Sequence, residues 1–229
     1  MSSRTLHAQQ RAFERALLEQ NIQIAQVLGK AIAMRDHDTG DHNLRVALYA
    51  GLLGDAIGLD PQPVRDLMVG AYLHDLGKIA IPDRILLKAG PLSSAEWEVI
   101  RRHCDLGAQL LGQMPAFHYA IPVVRHHHER YDGTGYPDRL TGEDIPLIAR
   151  AFAVVDVFDA LVSVRPYKRA MAFEDALDCL EAGKGTHFDP TLAAAFIRLA
   201  PHLYHTFGNL SEDELAPYLD NLRLRLFGA

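Results

Sequence analysis

Five stretches of this 229-residue chain place histidine and aspartate where a metal ion could be shared. His42 lies in Asp38-Thr39-Gly40-Asp41-His42-Asn43, and His74 and Asp75 open His74-Asp75-Leu76-Gly77-Lys78. His103 stands inside a helical pattern that starts at Ser93, and Asp156 interrupts the apolar run Ala153-Val154-Val155-Asp156-Val157-Phe158. The densest stretch is His126-His127-His128-Glu129-Arg130-Tyr131-Asp132-Gly133-Thr134-Gly135-Tyr136-Pro137. Neutral imidazoles and carboxylates are ligands of borderline divalent metals, and no thiolate pattern competes with them here. Eight of the twelve histidines fall between His37 and His128, which points to one site in the middle of the chain.

Each group has a bland reading beside the metal one. Asp38 precedes His42 by four, so the two can share one helix face. His74 and Asp75 end an apolar helix, where a buried imidazole and carboxylate need compensation that a metal supplies. Lys78 follows His74 by four and points the same way. A lone Asp156 in an apolar helix is costly, and burial against an arginine such as Arg45 is its structural alternative. Three adjacent histidines diverge by about 100° per residue and cannot all aim at one cluster. By the same argument Cys104, next to His103, reads as core. All the bland readings would have to hold at once for the metal reading to fail.

The elements that must position these residues are helical. Apolar residues recur at helical spacing and strand-like alternation is absent, so the expected fold is all-α. Residues 5–35 read as one long amphipathic helix. Its seam of Leu18, Ile22, Ala25, Gly29 and Ile32 suits either a partner helix or the chain's own domain. A second helix is expected over 39–57, and Asp60-Pro61 opens a third ending near Gly77. Residues 79–91 read as a connection with a short helical turn. Ser93-Ser94-Ala95-Glu96 is a capping box opening a helix to about Leu111. Residues 131–146 are irregular. Further helices are expected over 147–164, 173–182, 190–204 and, capped by Ser211, to Leu226. The expected organisation is an N-terminal helical arm over 1–33 and one domain over 34–229.

Composition narrows the function. The net charge of −6 argues against a partner that is a nucleic-acid polymer, which would want a basic stripe. No apolar run approaches a membrane span, and the start lacks the apolar core of a secretory signal. Cys104 and Cys179 show no CxxC spacing and read as reduced thiols, so a cytoplasmic location is expected.

The HHExxDGxGYP-type run with the upstream HD pair resembles the HD-GYP family of metal-dependent cyclic-dinucleotide phosphodiesterases. The resemblance covers roughly residues 34–190 and implies an HD-domain helical bundle with an irregular GYP loop. It implies metal ligands at His42, His74, Asp75, His103, His127, His128 and Asp156. A subset of the family adds an acidic residue four before the first histidine, usually glutamate, to hold a third metal. Asp38 stands there with a shorter side chain, so two divalent ions or three are implied, iron first and manganese next. His126 falls outside the ligand pair. Asp75 is the natural bridging ligand, and Lys78 faces the site as its catalytic partner. Two metals about 3.5–4 Å apart can lower the pKa of a bridging water and clamp a phosphodiester for in-line displacement. Tyr136 in the GYP turn, with Arg165 and Lys168 in Arg165-Pro166-Tyr167-Lys168, is implied to bind substrate.

The implied reaction opens cyclic di-GMP to linear pGpG, with GMP as a further product. Two other readings stay open: another cyclic dinucleotide such as cyclic GMP-AMP, and a cyclic di-GMP receptor with little turnover. Implied partners are a diguanylate-cyclase domain at the GYP loop and a second copy pairing through the N-terminal helix.

Overall fold

The computed structural model describes residues 3–36, 40–164 and 169–228. Its helices are α1 (Ser3–Arg35), α2 (Gly40–Ala56), α3 (Pro61–Leu73), α4 (Asp83–Leu86), α5 (Ser94–Arg101), α6 (His103–Gly112), α7 (Ile121–His126), α8 (Leu147–Val162), α9 (Phe173–Ala182), α10 (Pro190–Phe207) and α11 (Glu212–Phe227). Short 3-10 turns at Leu76–Ala80, Pro115–Ala120 and Gly142–Asp144 connect some of them. Among the described residues, strand-like pairing is limited to one bridge between Lys184 and Phe188, so the fold is all-α as expected.

Two helices form the axis of the bundle. Val46, Ala47, Leu48, Tyr49, Ala50 and Leu53 of α2 are all buried, on every side of the helix. Ala149, Ala151, Phe152, Val154, Val155 and Phe158 do the same for α8. A helix that is apolar all round is surrounded, and α2 is enclosed by α1, α3, α8, α10 and α11. Each of these central helices carries one of the polar exceptions, His42 on α2 and Asp156 on α8.

The chain's own α3 takes the seam of α1. Ile22, Ala25 and Ile32 are buried, and Gln26 Nε2 donates to the Tyr72 hydroxyl at 3.0 Å. Asn43 Nδ2 donates to the Gly29 carbonyl at 2.9 Å. Gly29 is needed for closeness: a Cβ there would stand 2.2 Å from the Tyr72 carbonyl oxygen. A second stripe, Phe13, Leu17, Ile24, Val27 and Met34, faces outward. At the end of α1, Arg35 donates from Nη1 to the Lys78 carbonyl at 2.6 Å and from Nη2 to the Ile81 carbonyl at 2.6 Å.

The structure departs from the pattern in three places that matter for the site. The third helix stops at Leu73, because Asp75 leaves helical geometry (φ −95°, ψ 9°) and a 3-10 turn follows. The helix expected over 94–111 breaks at Arg102 into α5, with no buried residue, and the inward-facing α6. The Ser93 capping box itself is formed, with Glu96 N donating to Ser93 Oγ at 3.3 Å and Ser93 N donating to Glu96 Oε2 at 2.8 Å. Residues 115–126 are helical although no helix was expected there, with a proline near the start of both pieces, where its missing N–H costs nothing.

Gly29→Ala is expected to push α1 off α3 and to cost about 1–3 kcal/mol of stability. For a chain of this size that lowers Tm by roughly 3–10 °C in a thermal melt. An unchanged Tm would mean that α1 does not depend on this contact.

Candidate metal centre

Three of the sequence-predicted ligands sit just beyond the C-terminal ends of helices, where the last carbonyls have spare capacity to accept. His74 follows α3, and its Nδ1 lies 2.8 Å from the Ala71 carbonyl. His103 follows α5, with Nδ1 2.7 Å from the Ile100 carbonyl. His127 follows α7, with Nδ1 3.2 and 3.1 Å from the Val123 and Val124 carbonyls. A carbonyl only accepts, so each Nδ1 carries a proton and each Nε2 is turned inward, bare in a neutral ring and protonated in His74 beside Asp75 until a metal displaces that proton. His42 does the same from α2, its Nδ1 lying 2.7 Å from the Asp159 carboxylate. Such outer hydrogen bonds fix the tautomer and aim of metal-binding imidazoles.

The Nε2 atoms converge. Ligand atoms of His42, His74 and Asp156 form one group within 4.8 Å of one another, and those of His103, His127 and His128 form a second. His42 Nε2 lies 3.6 Å from Asp156 Oδ1. His103 Nε2 and His127 Nε2 are 3.4 Å apart, and both rings are buried. Two lone pairs at that distance repel unless a cation stands between them. The donor set therefore fits divalent metal ions. Asp75 divides its carboxylate between the groups: Oδ2 is 3.1 Å from His74 Nε2 and Oδ1 is 3.4 Å from His103 Nε2.

Electrostatics follow burial and the shared carboxylate. Burial would raise the Asp75 carboxyl, but Lys78, His74 and His103 outweigh it and hold it well below the usual carboxylate range. Burial would lower His74, yet Asp75 beside it raises it to about 9. Burial and neighbouring imidazoles push His127 well below its ordinary value and His128 down to about 3. Lys78 Nζ contacts Asp75 Oδ2 at 2.8 Å and also Asp36 Oδ2. Burial opposes its charge, but the two carboxylates prevail and keep it an ammonium ion. The Tyr136 ring packs tilted by 34° on His128 with 4.8 Å between centroids, and burial pushes its hydroxyl pKa up.

Asp38, Arg165 and Lys168 lie outside the described residues. His126 faces away from the cluster, with Nδ1 3.6 Å from Asp138 Oδ2 and 3.9 Å from Glu129 Oε1. Cys104 is fully buried, as a core residue should be, but helical divergence does not carry it away from the site: its Sγ comes within 3.5 Å of His103 Nε2, outside the three-histidine group. Gly133 has φ +77° and serves the turn, whereas Gly135 is there for closeness, since a Cβ would meet Arg130 N at 2.3 Å.

Sequence reasoning missed Asp36, set Asp159 aside as a structural carboxylate behind the ligands, and paired Arg45 with the wrong aspartate. Arg45 turns to Asp159 rather than Asp156, donating from Nε at 2.6 Å and Nη2 at 3.0 Å. Asp159 is thereby the anchor behind His42. Burial would raise its carboxyl, but His42 and Arg45 overcome this and hold it below its ordinary value. The available signal was spacing: Arg45 is three after His42, and Asp159 three after Asp156. Asp36, which holds Lys78, had no such signal.

Comparison with known proteins agrees with this geometry. A family model described as an HD domain matches residues 26–192. A cyclic di-GMP phosphodiesterase response regulator of Xanthomonas campestris pv. campestris is 44% identical over 192 residues, 83% of this chain and 51% of the relative. A 3'3'-cGAMP-specific phosphodiesterase of Vibrio cholerae is 39% identical over 77% of this chain and 34% of its own length. The chain thus spans about half or less of these relatives. The solved structure of a cyclic GMP-AMP specific phosphodiesterase of V. cholerae has the same fold, with a TM-score of 0.66 at 18% identity over 87% of this chain and 53% of that one.

Because Asp75 keeps a proton on His74 up to about pH 9, a divalent cation must displace it at neutral pH. Loading with manganese at pH 7.5 is expected to release about one proton per chain from this source, and the release should fade above pH 9. Calorimetry in buffers of different ionisation enthalpy measures it, and a release that does not change with pH would contradict the assignment.

Proposed function

Because the chain belongs to the HD domain family and carries its HD-GYP motif set, we propose that the cluster binds two divalent metal ions and hydrolyses a cyclic dinucleotide, cyclic di-GMP first, to linear pGpG. The observation that carries this reading is the position of Asp75, one oxygen turned to each imidazole group. Divalent ions held there would supply Lewis acidity toward the phosphodiester and an acidified water. The chain's own residues do the rest. Asp75 bridges the two ligand groups. Lys78, kept as an ammonium ion, faces the charge that develops on phosphate. Tyr136 presents its ring and a neutral hydroxyl beside His128. Arg165 and Lys168 are proposed to grip the substrate, and Asp38 to hold a third metal. The all-nitrogen-and-oxygen ligand set supports iron or manganese over metals that prefer thiolate.

The second reading changes the base. A relative named for 3'3'-cGAMP is 39% identical to this chain, so cyclic GMP-AMP is the alternative substrate. GMP as a further product, a cytoplasmic location, docking of a diguanylate-cyclase domain at the GYP loop and pairing of two copies through α1 belong to the same proposal. The outward stripe of Phe13, Leu17, Ile24, Val27 and Met34 supports the last of these. Among the described residues, no helix is long and apolar enough to cross a membrane.

Incubation of iron- or manganese-loaded protein with cyclic di-GMP is expected to yield pGpG by chromatography, and Asp75→Ala to lower the rate at least about 100-fold. Binding without product would move the assignment to a receptor. Asp36 is expected to act through Lys78. Lys78→Met should cost about 10²–10³-fold in kcat, Asp36→Asn less, and Asp36→Asn should add nothing in the Lys78→Met background. Independent, additive effects would remove Asp36 from the mechanism.

A further inference from the structure

Beside the cluster lie two cavities of about 520 and 410 Å³ that share Glu98, Arg101 and Tyr136. The larger runs along the turn that carries Tyr136 and is also lined by Arg102 and Arg139; the smaller is edged by Trp97. Tyr136 connects both to the metal ligands. Its ring packs 4.8 Å from that of His128, and the Arg101 guanidinium sits 5.4 Å over its centroid.

The outer face of α5 has an arrangement that packing does not require. Trp97, the single tryptophan of the chain, is 48% exposed. Arg101 lies one turn further on the same face, four residues on. Glu98 Oε1 accepts from Arg101 Nη1 at 3.0 Å. An open indole, a guanidinium and a carboxylate therefore stand side by side at the mouth of the cavities. Arg101, Arg102 and Arg139 against Glu98 and Asp105 leave the larger cavity with a small cationic excess, in a chain whose net charge is −6.

We propose that this groove is a base subsite that reads guanine, an inference that rests on the cyclic-dinucleotide reading above. Trp97 is the stacking platform. Arg101 donates to O6 and N7, the commonest arginine–guanine contact. Glu98 accepts from N1–H and the 2-amino group. O6 and N1 are neighbours on the purine, so a carboxylate and guanidinium already side by side match adjacent acceptor and donor positions. Adenine reverses both: its 6-amino group would meet Arg101 donor to donor, and its bare N1 would meet the Glu98 carboxylate. The subsite thus selects guanine-bearing substrates through α5, a helix that contributes no metal ligand.

The single tryptophan makes the test direct. Metal-loaded protein is titrated with cyclic di-GMP and with cyclic di-AMP, following tryptophan fluorescence by stopped flow and total binding by calorimetry. Cyclic di-GMP is expected to quench Trp97. Arg101→Ala and Glu98→Gln should each weaken cyclic di-GMP roughly 5- to 100-fold while changing cyclic di-AMP far less. Both positions are on the surface, and thermal melts verify that the variants fold. Cyclic di-GMP that binds without quenching, or variants that weaken both nucleotides alike, would overturn the subsite. Quenching with guanine preference but no hydrolysis would overturn the phosphodiesterase reading and leave the subsite standing. Binding of neither nucleotide would overturn both.

Discussion

Four imidazoles, each tied through Nδ1 to an acceptor behind it, turn their Nε2 atoms into one buried space, and the bundle is built around making that tolerable. Lone pairs 3.4 Å apart, as in His103 and His127, repel in a medium of low dielectric. A cation removes the repulsion; without one, a proton on His74 beside Asp75 does part of the work. The requirement explains where the ligands come from. A helix end offers carbonyls with lone pairs to spare, and an imidazole placed there donates to one and gains a fixed direction in one step. Three of the four histidines use that device, so helix termination and ligand orientation are the same event in this fold. His42, inside α2, has no such carbonyl and needs Asp159 instead, which in turn needs Arg45.

Much of this was legible in the residues. Helical period and caps gave nearly every helix, because the bundle has few irregular joints and its central helices are apolar all round. The ligand types were legible because burying so many histidines and aspartates is costly without compensation. What stayed hidden depends on contacts between distant segments. Asp159 and Asp156 sit three apart on one helix, and nothing in their own neighbourhood says which of them Arg45 meets. Asp36 meets Lys78 only because α1 lies against α3. The break at Arg102 has no glycine or proline to announce it. It follows from packing, since α6 must approach the turn carrying Gly77, where a Cβ would stand 1.9 Å from the His103 carbonyl.

That break has two effects at once. It turns His103 into the interior and leaves α5 lying on the surface beside Tyr136, so ligand geometry and the wall of the neighbouring groove are set by one backbone bend. Under the proposed function, chemistry at phosphorus and recognition of the base could then vary separately, the first on buried helix ends and the second on an exposed face. Relatives named for different cyclic dinucleotides share this scaffold, which is the outcome such a separation allows.

The last turn of α1 grips the segment that carries Lys78, while the first half of the same helix turns Phe13 and Leu17 to solvent. A continuous helix of 33 residues spans about 50 Å and behaves as a stiff shaft over that distance. Any segment joined to its outer end is in fixed rotational phase with Lys78. Adding or removing one residue would turn the outer end by about 100° relative to the site, whereas seven residues nearly restore its direction. A twist applied at the outer end therefore has a defined place to arrive, the segment that carries Lys78.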